Sequence, residues 1–109
     1  MQPSLIQNLI LFFETCDSFL GKKILIKEFI STNRDDFDRH FTTNSSLEFE
    51  LKNFAVRTSG GRAMFLGEKQ SYEIGSDLVI GFEKVDNQTY AFLEKYSETV
   101  FRKSILQFL

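Results

Sequence analysis

The residues best suited to hold an anion lie between positions 57 and 62. Arg57-Thr58-Ser59-Gly60-Gly61-Arg62 sets two guanidinium groups around a turn carrying two hydroxyls and two glycines. Glycine lets backbone amides approach an anion closely, and arginine grips a phosphate or a guanine edge through paired hydrogen bonds. From Leu51 to Gly67 the chain holds no acid, Lys52 adds a third positive charge, and Lys69 follows nearby. The preceding stretch is the reverse, with Glu28, Asp35, Asp36, Asp38, Glu48 and Glu50 set against Arg34 and Arg39. Across all 109 residues, 13 basic and 15 acidic side chains leave a net charge of -2, which excludes both a polycation and an acidic tail. A basic hairpin in such a chain is a local feature. The same six residues also suit an ordinary surface turn with solubilising charges. Affinity for nucleic acid grows with the phosphates neutralised, so a hairpin of this size predicts modest binding unless a second domain or dimerisation helps.

Catalytic chemistry has less to work with. His40 is the only histidine, and with Asp36 it would supply two metal ligands, which leaves a site incomplete. Cys16 falls on an apolar helical stripe with no lysine or arginine within a turn to activate it, so it reads as a core residue. No nucleophile elbow, phosphate-binding loop or dinucleotide fingerprint occurs. Glu50-Leu51-Lys52 resembles the E-x-K element of the PD-(D/E)XK nucleases, in which two acids hold a divalent metal and the lysine steadies the attacking water. Glu14 would be the helical acid of that scheme. The preceding strand lacks the family's aspartate, however, and alternation puts Glu48, Glu50 and Lys52 on one solvent-facing side. The sequence therefore assigns no catalytic residue, no metal and no cofactor.

The elements that must position the hairpin follow from periodicity. Ser4 and Gln7 form a capping box before an apolar stripe at Leu5, Leu9, Phe12, Cys16 and Phe19, widened by Ile6, Ile10, Phe13 and Leu20, and Gly21 ends that helix. Proline 3 is placed outside it. Lys23 to Ser31 reads as a strand, and Arg34 to Phe41 as a short middle helix. Leu47 to Lys52 alternates, then shifts phase at Phe54 and Val56, which predicts a bulge near Asn53. Strands follow at Ala63 to Leu66, Leu78 to Val85 and Tyr90 to Tyr96, with turns at 59–61, 74–77 and 86–88. Ser97 is expected to cap a final helix with Phe101, Ile105 and Phe108 on its face. The expected fold is one α+β domain, a mainly antiparallel twisted sheet or open β-barrel of about five or six strands with helices at both ends and in the middle. Most of the 13 phenylalanines fall at core phases and so serve packing before stacking on bases.

The turn Gly60-Gly61-Arg62, the apolar strand after it and the segment Ile74-Gly75-Ser76-Asp77-Leu78-Val79-Ile80-Gly81-Phe82-Glu83 resemble the B-three pseudobarrel. This DNA-binding domain occurs in plant transcription factors and in specificity domains of restriction enzymes. The match spans residues 54 to 96; Ser76 intrudes between the family's Gly and Asp, and its tryptophans are missing. The resemblance implies two arms on the major groove, one after the first strand (Asn33, Arg34, Arg39, His40) and one at Arg57 to Arg62.

The leading expectation is a non-catalytic domain for double-stranded DNA, using Lys52, Arg57, Ser59, Gly60, Gly61 and Arg62 with Asn33, Arg34 and Arg39. It would belong to a restriction-modification or regulatory protein with further domains or subunits. A protein-binding or inhibitor module using the acidic stretch is the alternative, and a metal nuclease at Glu50 and Lys52 is the third. One cysteine cannot form an internal disulfide, and Leu9 to Phe13 is too short to span a bilayer and lacks signal-peptide flanks. A cytoplasmic protein without a membrane partner is expected.

Overall fold

The computed structural model describes residues 3–34, 43–57 and 61–109. Helix α1 spans Pro3–Thr15 and tightens into a 3-10 turn at Cys16–Phe19. Pro3 is therefore inside the helix, and Ser4 follows it in the first turn instead of capping from outside. Proline suits that position because its missing amide would have had no intrahelical partner. Leu9, Phe12, Cys16 and Phe19 are buried as the stripe predicts, and Gly21 turns the chain at φ 87°.

Eight strands follow: β1 Lys23–Ser31, β2 Thr43–Glu50, β3 Asn53–Arg57, β4 Arg62–Leu66, β5 Ser71–Gly75, β6 Val79–Lys84, β7 Thr89–Ser97 and β8 Val100–Phe108. They form two antiparallel sheets, ordered β2-β1-β8-β7-β6 and β3-β4-β5, and no barrel closes among the described residues. The final helix is corrected: residues 100–108 are a central strand. Phe101, Ile105 and Phe108 fit a helical period, but Ser104, Leu106 and Phe108 are buried in strand alternation, with Phe101 and Ile105 on the opposite face. The strand count also rises, because β5 and β8 went unread. The middle helix lies, beyond Arg34, outside the described residues.

The phase shift at Asn53 is a change of sheet and not a bulge, since β3 pairs with β4 without a register shift. The Leu51 amide donates to Lys22 O at 2.8 Å, and the Lys52 amide donates to Leu66 O at 2.8 Å. Consecutive residues thus bond to different sheets, and the chain changes layer there.

The inward face of the larger sheet divides in two. One half carries Ile24, Ile26, Tyr90, Phe92, Leu106 and Phe108 and belongs to the core beneath α1. Phe12 lies 4.6 Å from Tyr90 and 5.1 Å from Phe92, centroid to centroid, and Phe19 stacks on Phe108 at 4.1 Å. The other half, reached by following the same strands, carries Glu28, Glu94, Tyr96, Arg102 and Ser104. Strand β5 lies over it.

No helix among the described residues is long and apolar enough to cross a membrane.

Candidate functional site

The β3–β4 ribbon projects the two arginines together. Arg57 and Arg62 are direct cross-strand partners, so both side chains leave the same face. That face is the solvent side, since the alternating positions Ala63, Phe65, Tyr72 and Ile74 are buried on the other. Arg62 Nη1 lies 3.5 Å from Glu73 Oε2 on β5, an exposed pair. Arg57 has no acid partner among the described residues. Like charges directly opposite in a ladder are unfavourable, so the ribbon keeps two cations where packing alone would not put them.

The root of the turn is held by a close backbone approach. Gly61 adopts φ 55°, and a Cβ built on it would fall inside the Asp77 carboxylate. The Ser76 amide donates to Gly61 O at 2.7 Å, which locks β4 to the segment after β5. Gly61 is therefore required for geometry, and the acid of Asp77 stands close to the turn.

Two open grooves flank this point. One of about 560 Å³ is lined by Gly61, Arg62, Glu73, Asp77, Tyr96 and Arg102. The other, of about 800 Å³, is lined by Arg34, Asp77, Asn8, Ser4 and Phe82 among others. Asp77 is common to both, so the loop after β1 and the glycine turn come to the same end of the molecule. The expected sites divide accordingly. Arg34, Arg57, Gly61 and Arg62 gather there, with Asn33, whose amide donates to Ser31 Oγ at 3.1 Å, in the loop beside Arg34. Ser59, Gly60, Arg39 and His40 lie outside the described residues, as do Asp35, Asp36 and Asp38.

Lys52 does not join them. It precedes β3 at the opposite end of the ribbon, roughly 17 Å from Arg57 at strand rise. Its ammonium pairs with Glu50, and that hydrogen bond raises the Lys52 pKa. The lysine of the nuclease-like element is thus engaged with its own acid. Among the described residues no three His, Cys, Asp or Glu side chains gather to hold a metal.

The floor of the smaller groove is a network the sequence reading missed. Arg102 gives Nε and Nη2 to Glu94 Oε1 at 2.8 and 2.7 Å, Nη1 to Glu28 Oε2 at 3.1 Å, and Nη2 to Glu73 O at 2.6 Å. Fully buried Glu94 also accepts from the Gly75 amide and the Tyr96 hydroxyl, both at 2.9 Å. The Tyr72 hydroxyl donates to Glu28 Oε2 at 3.2 Å and shares a 2.6 Å hydrogen bond with Ser104 Oγ. Burial pulls the Arg102 pKa down, but Tyr72 and Glu94 more than offset it and the net shift is upward. Burial raises the Tyr72 hydroxyl against the opposing Ser104 hydrogen bond and the Arg102 charge. Every buried side-chain polar atom described has a partner. The signal for this cluster was Glu94 at the inward phase of Tyr90, Phe92 and Tyr96. It lost its meaning once Arg102 was assigned to a helix.

Compared with models of protein families, with curated proteins and with solved structures, the chain matches none.

Proposed function

We propose that this domain binds double-stranded DNA without catalysing a reaction on it, presenting the β3–β4 ribbon to the major groove. The observation that carries this reading is the facing pair Arg57 and Arg62 on the ribbon's solvent side, with no acid opposite Arg57 among the described residues. The two arginines sit at one end of the three-stranded sheet, and guanidinium groups suit both phosphate oxygens and guanine edges. Arg34, across Asp77 from the ribbon, supplies a second contact, in keeping with the two-armed grip that the B-three resemblance implies. Glu73 and Asp77 beside the arginines favour a specific geometry over indiscriminate attraction to phosphate, because an acid near the contact penalises misplaced backbone.

The test is fluorescence anisotropy of a labelled mixed-sequence duplex, titrated at two salt concentrations without magnesium. Two phosphate contacts predict a slope of about -1.8 in log affinity against log salt. Arg57→Glu/Arg62→Glu abolishes binding while circular dichroism stays unchanged. Absence of binding at low salt, or binding that survives in the double variant, overturns the reading.

A further inference from the structure

The outer edge of β3 differs from the other three sheet edges. Strand β2 carries Glu48 and Glu50, β6 has a register shift between Val79 and Gly81, and β5 lies over the Arg102 network. Charges, bulges and covering elements are the usual protections against unwanted strand pairing. Strand β3 reads Asn53-Phe54-Ala55-Val56-Arg57, without a bulge and with one charge at its end. It is terminal in its sheet, and Val56 is 43% exposed.

The hydrogen-bond phase of this edge follows from its neighbours. The Ser76 amide bonds Gly61 O, which directs the odd residues of β4 toward β5 and the even ones toward β3. Arg57, Ala55 and Asn53 therefore bond β4, and the amides of Phe54 and Val56 point outward. Among the described residues the Phe54 amide accordingly takes only its neighbour's Asn53 Oδ1, at 2.8 Å.

We infer that this edge pairs with the same edge of a second copy, antiparallel and centred on Ala55. The segment is self-complementary in that register. Phe54 faces the second copy's Val56, an aromatic with a β-branched residue, and Asn53 faces its Arg57, so no two charges of one sign oppose. Both outward amides and both outward carbonyls of each copy are used, the Phe54 amide exchanging Asn53 Oδ1 for the second copy's Val56 carbonyl. Helix α1 contributes its flank: Phe13 meets Phe54 at 5.8 Å, and Ile6 and Ile10, on the same side of the helix, are 43% and 50% exposed. The two-fold brings these flanks together below the joined sheet. On its opposite face both ribbons lie side by side, with the two Arg57 positions roughly 14 Å apart. The copy thus adds to an anion-binding face that two arginines alone leave small. The pairing itself does not depend on DNA.

Sedimentation equilibrium and an engineered cross-link test it. The expected mass is twice 12.7 kDa at high protein concentration. Val56→Pro lowers it to the monomer, because it removes an outward amide and leaves the β3–β4 ladder intact. In Ala55→Cys the two-fold places the thiols in a close, non-hydrogen-bonded pair, and air oxidation gives a covalent dimer about tenfold or more faster than in Asn53→Cys, whose thiols stand too far apart. The buried Cys16 stays silent. A monomer at millimolar protein, with no faster cross-linking of Ala55→Cys, overturns the inference. So does a dimer that Val56→Pro leaves intact or that Asn53→Cys traps equally well.

Discussion

Arginine is used in two opposite ways at neighbouring points of this molecule. Arg102 is nearly enclosed, with 15% of its side chain exposed, and three of its nitrogens are spent on Glu28, Glu94 and a backbone carbonyl. Arg57 and Arg62 stand in solvent opposite one another, with one exposed contact to Glu73 between them. The first arrangement spends four of the five N–H donors inside the fold, tying β1, β7 and β8 of one sheet to β5 of the other. The second is unfinished. An enclosed cation that spends most of its donors inside serves the fold, and an exposed pair that repels within its own ladder is suited to an external anion.

If that contrast is right, Arg102→Met is the most damaging single change. It leaves Glu94 fully buried and Glu28 largely shielded without their cation, and removing one partner of such a cluster costs about 3–5 kcal/mol. Urea unfolding should show the loss. Glu28→Gln, which keeps one acceptor oxygen for Tyr72 and turns the other into a donor toward the Ser45 hydroxyl, costs clearly less. Equal costs for the two variants would mean that the guanidinium is not the centre of the cluster.

The enclosed side also predicts how the fold responds to alkali. Burial, with Asp17 nearby, pushes the Cys16 thiol up to about 12 from 9.0. Burial, with Glu94 nearby, pushes the Tyr96 hydroxyl up to about 12, and Tyr72 and Tyr90 shift the same way. Their folded-state values are raised, so the folded chain holds more protons than the unfolded chain above pH 9. The stability they contribute is complete below that pH and is lost as pH rises toward about 12. A single group within its window contributes a slope of about 1.4 kcal/mol per pH unit. Cys16→Ala should flatten the first part of the fall in unfolding free energy, between the ordinary cysteine and tyrosine ranges. An unchanged profile would show that the thiol is not enclosed in solution.

Gly61→Ala probes the joint between the two regions. The positive φ alone costs roughly 1–2 kcal/mol, and the added methyl must also displace the Asp77 carboxylate. Asp77→Ala in the same chain should recover the second part and leave the first. Full recovery, measured as thermal stability, would mean that the backbone conformation is not what the glycine supplies.

The legible parts of this fold were those where one period dominated. Lys23–Ser31 opens with Ile24 and Ile26 buried in strand alternation, and the Leu9, Phe12, Cys16, Phe19 stripe has only one helical reading. Strand β8 was not legible because its apolar residues fall on both faces, Leu106 and Phe108 on the buried one and Phe101 and Ile105 on the other, and Phe101, Ile105 and Phe108 together fit a helical period. Losing β8 also hid the partner of Glu94, since Arg102 pairs with it only across the β7–β8 ladder. The arginine turn was visible because a glycine pair with flanking charges is a local signal. The opposite end was not, because only the change of sheet at Leu51 and Lys52 separates Lys52 from the tip.

The smallest folding effect belongs to Arg57→Gln, and it is the sharpest test of the contrast. Glutamine keeps much of the reach and hydrogen-bonding capacity but removes one of two like charges that face each other. Stability should stay within about 0.5 kcal/mol of the parent, with the sign favouring the variant, since repulsion in the ladder is relieved. Binding should move the other way. If Arg57 contacts a phosphate, the salt slope shrinks by about 0.9, with affinity falling uniformly across sequences. If it reads a base, the loss of about 1–3 kcal/mol is confined to one position of the site. A fall in stability with no change in binding would place Arg57 with Arg102, as a residue the fold needs, and would remove the distinction drawn between them.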